Sequence, residues 1–528
     1  MSRARLLQSV ALMMAATLVG KALLVLREPI VAAYFGASAQ TDAYNVAMTI
    51  ATMFLTVTIS PISAVLVPVY VERLHQERAA GLRFIRQVFT LYLLVVSTTL
   101  LVAYFAAPWL VRLYAPGFAA ETELLAVHLT RILALFAVVT GVGSYLGMVL
   151  TAHQRFLWVA LGPIVAAVLV IAILWVGAPR MGVDALAWGM VIGNTAELLL
   201  LGIATHRQAV GLGLDFRIGE AVRGLGRLSV WMLLGRFIGQ GNNLVDRNML
   251  SRLSEGSIAA LGFARSIYLL PFEIFTTGIT RVIIADFSWD VARGDAEALR
   301  RDLSLATRLA AFFMLPVMVG LIVLRLPIVQ LLYERGAFDA ADTQATAIAL
   351  AFLSLSLYFR ALTFIGARVF IARQQLVFPA IASTLVLVAH IGLNLALIPT
   401  WQLAGVAISL SVTEALGTVV YFARLRHDLG PLDGRRIVIA LVKMGLAAGG
   451  MAALIAPLDA TLYPLAAGTL LRIGVLLLMV GSGAAVYLGL LYLLRLEELR
   501  LALKMMRDLV RRENQRTPVA TDFIQEDE

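Results

Sequence analysis

Cysteine is absent from all 528 residues. That excludes disulfides, thiol nucleophiles and thiolate metal sites, and it leaves the redox compartment unreadable. Charge is sparse as well. Asp, Glu, Lys and Arg make up 14% of the chain against 60% hydrophobic residues, and the mean hydropathy is +0.87. No soluble core needs so much apolar surface, so the composition specifies a polytopic membrane protein. Motifs for chemistry are missing too: there is no phosphate-cradling loop, no HExxH, no GxSxG, and no soluble stretch long enough for an ATPase. The chain reads as a non-enzyme without a cofactor. Any work it does is driven by an ion gradient, the membrane potential or the gradient of its substrate.

The net charge of +10 does not point to nucleic acid, because the basic residues are scattered through short connections between apolar segments. Near the N-terminus, Lys21, Arg27 and Glu28 lie where a signal peptide needs an unbroken apolar core, which predicts a retained first helix. About fourteen segments are long enough to cross a ~30 Å hydrocarbon core. They fall near 7–35, 41–70, 87–114, 124–151, 157–177, 183–204, 227–252, 257–287, 304–333, 344–372, 377–398, 402–425, 436–457 and 463–494. In lipid only helices and closed barrels satisfy the backbone, so the predicted fold is an all-α bundle. The even-numbered connections hold Arg73, Arg78, Arg83, Arg155, Arg207, Arg300, Arg373 and Arg424. Several odd-numbered ones carry acids: Asp42, Glu121, Asp184, Glu255 and Asp339. By the positive-inside rule both termini are cytoplasmic. The charged, amphipathic tail after Arg495 is expected on the inner membrane face or in solvent.

The two halves resemble each other at an offset of 217–220 residues: 107–122 with 326–343, 151–156 with 371–376, and 185–199 with 402–416, which aligns Glu197 with Glu414. Matches that include polar loop residues favour a true parallel repeat over chance likeness between Leu- and Ala-rich helices. The expected organisation is two six-helix lobes plus two C-terminal helices. Its parts are an N-lobe over 1–205, a cytoplasmic linker over 206–226, a C-lobe over 227–427, two further helices over 428–495 and a cytoplasmic tail over 496–528.

A charge at the bilayer centre costs about 2.5–3.5 kcal/mol on insertion scales, so intramembrane ionisable residues face a wet cavity or one another. Here they gather in the first segment (Lys21, Arg27, Glu28, then Asp42) and in the seventh and eighth (Asp246, Arg247, Arg265, Glu273). Corresponding helices of two repeats face each other, so these residues are candidates to line one chamber. Cations outnumber acids among them, and guanidinium groups pair bidentately with phosphate oxygens. The candidate ligand is therefore an anionic, phosphate-bearing one. The alternative is internal ion pairs that only fix helix contacts, or side chains that snorkel to an interface. His390 is a titratable group in the eleventh segment, although a lone histidine there is more often a packing residue.

Three stretches are similar to the MurJ (MviN) lipid II flippases of the MOP exporter superfamily: "REPIVAAYFGASAQTDAYNVA" (27–47), "VDRNMLSRLSEGSIAALGFARSIYLLP" (245–271) and "LPIVQLLYERGAFDAADT" (326–343). The resemblance implies translocation of an undecaprenyl-pyrophosphate-linked glycan across the bacterial inner membrane by alternating access, with lipid II the leading substrate. Membrane lipids are implied partners, and cell-wall or polysaccharide synthesis proteins are candidate ones. Carried over by position, Arg27 matches a cavity arginine, Glu28 stands for an aspartate, Lys21 for an arginine, and Asp42 and Asp246 match acidic positions. There are departures. The second segment, "MTIATMFLTVTISPIS" (48–63), lacks the family's charges, and the helix-eight cation is displaced by one position to Arg265, about 100° around a helix. The sodium-associated N-x-x-x-D pair of some members reads His390-x-x-x-Asn394, which argues against sodium and leaves a proton or another monovalent cation. An exopolysaccharide or O-antigen repeat-unit flippase is the rival within the superfamily. A cation-coupled multidrug antiporter fits less well, because its cavity needs acids more than arginines.

Overall fold

A computed structural model describes residues 19–20, 22–23, 26–63, 66–208, 213–216, 240–375 and 377–500. Among them there is no strand. The first helix is described as α1 (26–35) and is followed by α2 (Ala39–Ser63), α3 (Leu66–Gln76), α4 (Arg78–Tyr114), α5 (Ala120–Ala152), α6 (Phe156–Met181) and α7 (Asp184–Arg207). Next come α8 (240–250), α9 (Ser257–Arg293), α10 (Ala296–Val323), α11 (Arg325–Tyr333), α12 (Ala340–Ser354) and α13 (Leu357–Ala372). The chain continues through α14 (Val377–Leu429), α15 (Gly434–Leu462) and α16 (Thr469–Leu493). Ten of the described helices are long and apolar enough to cross a membrane, and α12 and α13, bent by 44° at their break, are so only when taken together. The 53-residue α14 breaks at Gln402 (φ 47°), where the sequence predicts the turn between its eleventh and twelfth segments. Large apolar side chains face outward, with Trp109 76% and Leu470 87% exposed. In a bilayer such a surface meets acyl chains, where it costs nothing.

Packing divides the chain into two compact units. The first comprises Met1–Ile267, Val329–Leu353 and Val377–Thr413; the second comprises Tyr268–Ile328, Ser354–Leu376 and Glu414–Glu528. These are not the repeat-based lobes, 1–205 and 227–427, expected from sequence. The physical reason lies in the loops of the first unit, where backbone groups from both halves of the sequence bond directly. Ala337 N–H donates to Ala33 O at 2.8 Å, Ala37 N–H to Asp342 Oδ2 at 2.9 Å, and Gly117 N–H to Ser251 Oγ at 3.2 Å. Glycine permits close approaches at the same loops. A Cβ on Gly256 (φ +83°) would lie 2.0 Å from Ala37 O, and one on Gly336 (φ +62°) 2.2 Å from Ala33 O. Both positions combine positive φ with no room for a side chain.

Inside the first unit, α3, α4 and α5 carry an aromatic core that includes Tyr70, Phe84, Tyr92 and Tyr145. The buried Tyr145 hydroxyl donates to Ile85 O at 2.7 Å, which meets the requirement that a phenol removed from water keep a partner. α6 and α7 come close because Gly193 has no side chain; a Cβ there would sit 2.7 Å from Ala166 O. Small residues at such crossings are the usual means of helix association in lipid. In the second unit, α15 and α16 pack on α10, with the Tyr487 hydroxyl donating to Phe312 O at 3.0 Å. Arg360 pairs with Glu414 at 2.9 Å and stacks over the Phe272 ring. At the start of the tail, Glu498 is 2% exposed and ion-paired with Arg308 of α10, while Glu497 is 84% exposed, so one face of this turn packs on protein and the other stays open. Residues 501–528 lie outside the described residues.

Candidate functional site

The second helix supplies hydroxyls where charges are missing. Thr49, Thr52, Thr56 and Thr58 of α2 each donate back to a carbonyl of their own helix, and their oxygens remain able to accept. Thr49 Oγ1 accepts from Arg247 Nε at 3.2 Å. A second edge of Arg247 points to Ile258 O at 3.4 Å. Arg265 donates from Nη1 to Asn243 Oδ1 at 3.3 Å and lies near enough to repel Arg247 electrostatically. Two half-buried guanidinium groups therefore sit together on α8 and α9, and every hydrogen-bond acceptor given to them is neutral. Asn243 and Arg247 are one helical turn apart, a spacing the sequence already displayed.

Arg27 lies elsewhere. Its guanidinium is bonded to Glu28 and also donates to Met190 Sδ. It opens onto a cavity of about 170 Å³ within the first unit, walled by α1, α5, α6 and α7 and lined by Phe136, Pro163, Met190, Asn194 and Glu197. The contacts of Arg27 are thus separate from those of Arg247 and Arg265. Glu28 is spent on Arg27. Glu273 is half-buried on α9 in the second unit, with the Thr276 and Thr277 hydroxyls on its carbonyl. Lys21 lies outside the described residues.

Asp42 needs correction as a ligand-binding group. It is 4% exposed, and both of its oxygens are occupied: Oδ2 accepts from Gly256 N–H at 2.8 Å and Oδ1 from Ala259 N–H at 2.7 Å. It caps the N-terminus of α9, whose free N–H groups and dipole favour an anion. The loop sequence had no means of revealing partners more than 200 residues away.

Asp246, His390 and Asn394 do come together. His390 Nε2 lies 2.7 Å from Asp246 Oδ1 and 3.1 Å from Asn394 Nδ2, and its Nδ1 is 3.0 Å from Ser409 Oγ. All four side chains are buried. Asp246 Oδ2 and Asn394 Oδ1 have no protein partner among the described residues. Ser409 carried no signal in the sequence; only the turn at Gln402 brings it beside His390.

The family model described as lipid II flippase MurJ matches residues 31–476. The chain belongs to the MurJ family. A probable lipid II flippase MurJ of Rhizobium meliloti is 26% identical over 88% of this chain and 89% of its own length. Another, of Thermotoga maritima, is 28% identical over 76% and 82%. Among solved structures, a lipid II flippase MurJ in an inward closed conformation superposes with a TM-score of 0.76 at 24% identity, covering 90% of this chain and 98% of that one. An inward-facing multidrug resistance MATE family transporter of the MOP superfamily gives 0.65 at 14% identity, over 80% and 99%. These likenesses show a shared transporter fold.

Proposed function

We propose that this protein carries lipid II from the inner to the outer leaflet of the bacterial cytoplasmic membrane by alternating access, with both termini in the cytoplasm. Membership of the lipid II flippase family supports the substrate. The observation that carries the mechanism is the Arg247–Arg265 pair. Their hydrogen-bond acceptors are neutral and the two charges repel each other, with Asp246 and Asp42 offsetting part of that repulsion on Arg247; a diphosphate placed between them removes the remaining cost while gaining charge-assisted hydrogen bonds. The positive-inside rule puts the loops around Asp42, Gly256 and Gly336 on the outer side. Their backbone bonds close that side, so the headgroup enters from the cytoplasm and leaves once these bonds part.

Coupling is assigned to Asp246 and His390. Ser409 Oγ donates to His390 O at 3.3 Å and lies 3.0 Å from Nδ1, while Nε2 faces both the Asp246 carboxylate and the Asn394 amide nitrogen. With an imidazole between Asp246 and Asn394, a proton suits the site better than sodium. The absence of charge over residues 48–63, where this family carries it, favours one second reading, a flippase for another diphosphate-linked saccharide. Purified full-length protein in nanodiscs tests both readings. Lipid II affinity should fall by about tenfold or more in Arg247→Ala and Arg265→Ala, the loss of one charge-assisted bond at 1.5–3 kcal/mol. Unchanged affinity would remove the pair from the site. Tighter binding of an undecaprenyl diphosphate bearing a different glycan would favour the second reading.

A further inference from the structure

The repeat places a glutamate in corresponding helices, yet only one of the two is neutralised. Glu414 is held by Arg360 at 2.9 Å. The repeat offset maps Arg360 onto positions 140–143, which read Thr-Gly-Val-Gly. Glu197 therefore inherits an intramembrane carboxyl without the cation that accompanies its twin. Among the described residues it has no hydrogen-bond or ionic partner, and it lines the cavity that Arg27 also faces. Arg27 is itself incompletely used, because its Nε is buried and unpartnered while its outer edge is tied to Glu28.

A lone carboxylate at membrane depth requires a counter-charge or a proton. The charged group that lines the same cavity as Glu197 is Arg27, itself bonded to Glu28 on α1; Tyr44 of α2 acts on Arg27 electrostatically. The cavity faces of α5 and α6 contribute Phe136, Pro163, Ala166, Ala167 and Val170, none of them titratable. An alkali cation bound there would be repelled by the Arg27 guanidinium. A proton is not, because it cancels the carboxylate charge and adds none.

We propose that Glu197 is a proton-binding site that sets the partner of Arg27: ionised, Glu197 draws the free edge of Arg27 into the cavity; protonated, it releases Arg27 toward an anionic headgroup. By linkage, protonation of Glu197 and binding of a diphosphate favour each other by the same factor. This coupling rests on Arg27 reaching the headgroup of the transported lipid; the proton site does not.

The test uses the purified full chain in nanodiscs. Without lipid II, infrared difference spectra on acidification should show a protonated-carboxyl C=O band that is missing in Glu197→Gln and retained in Glu414→Gln. A wild-type spectrum indistinguishable from that of Glu197→Gln overturns the proton site. Glu197→Gln should melt at the wild-type temperature, which separates this loss from misfolding. With lipid II as the probe, wild-type affinity should tighten severalfold from mildly alkaline to mildly acidic pH, and Glu197→Gln should keep the acid-side affinity throughout. A variant as pH-dependent as the wild type overturns the coupling. Arg27→Ala distinguishes the two layers. Undiminished lipid II binding by Arg27→Ala, with the Glu197 band intact, overturns the role of Arg27 at the headgroup and its coupling to Glu197, and supports the proton site alone.

Discussion

Removing the Asp42 carboxylate should loosen the closure at the loop end of the first unit. Two N–H groups at the start of α9 rest on it, at 2.8 and 2.7 Å. Charge-assisted hydrogen bonds contribute about 1.5–3 kcal/mol each when their partners are lost inside protein. When the loops part in the wild type, water recovers much of that, and helix-cap substitutions give about 1–2 kcal/mol. For two bonds aligned with a helix dipole we take about 2–3 kcal/mol, which lowers the closed-to-open ratio roughly 30- to 140-fold in Asp42→Ala. The absence of native cysteine makes the assay clean. Ser251 is 6% exposed and accepts from Gly117 N–H across the same loops. Ser251→Cys should be protected from a membrane-impermeant maleimide added outside, and the added Asp42→Ala should render it reactive. Asp42→Asn, which keeps a neutral acceptor, should fall between. Equal protection in Asp42→Ala and its parent would refute the idea that this cap holds the closed state.

Other outcomes follow from the same geometry. Arg247→Lys should recover part of the lipid II affinity lost in Arg247→Ala, because a lysine keeps the charge but not the planar fork that spans Thr49 and Ile258; equal affinities in the two variants would count against bidentate recognition. Glu414→Gln should destabilise the second unit by about 1–3 kcal/mol, less than a fully buried pair because Arg360 and Glu414 are 31% and 24% exposed; thermal melting in detergent measures it. Gly256→Ala should cost about 1–3 kcal/mol, since its Cβ would collide with Ala37 O in a backbone already at positive φ; a wild-type melting temperature would contradict the close approach. His153, at the end of α5, has its protonation pushed below the usual histidine range by partial burial and by Arg155 and Arg78. An unfolded chain therefore takes up the proton first as pH falls below about 6.5, so this residue opposes folding progressively toward acid. An NMR titration of the ring should place its midpoint below the free-histidine value.

Much of the fold was legible because lipid leaves few choices. Apolar runs of spanning length had to be helices, and the break at Gln402 falls where two predicted segments meet. The bend between α12 and α13 was not legible, since Leu355 and Ser356 continue an apolar run without proline or glycine. The candidate site divides in the same way. Charges in apolar helices announced themselves, and Asp246, His390 and Asn394 form one buried cluster. What each charge touches depends on contacts across hundreds of residues. Asp42 became a helix cap, Arg27 turned to the α5–α6–α7 cavity, and Thr49 accepts from Arg247 because a hydroxyl already satisfied by its own helix can still accept. The importance of Glu197 emerges only from comparing repeats: its sequence context matches that of Glu414, and the difference is an arginine at position 360 with no counterpart at 140–143.

Transport of lipid II is open to one direct measurement. In cells depleted of their own lipid II flippase, this protein should restore growth and deliver labelled lipid II to the outer leaflet, while the Arg247→Ala, Arg265→Ala double variant, expressed and folded to the same level, should do neither. Lysis despite full expression of the wild-type protein, with labelled lipid II retained on the inner leaflet, would contradict it.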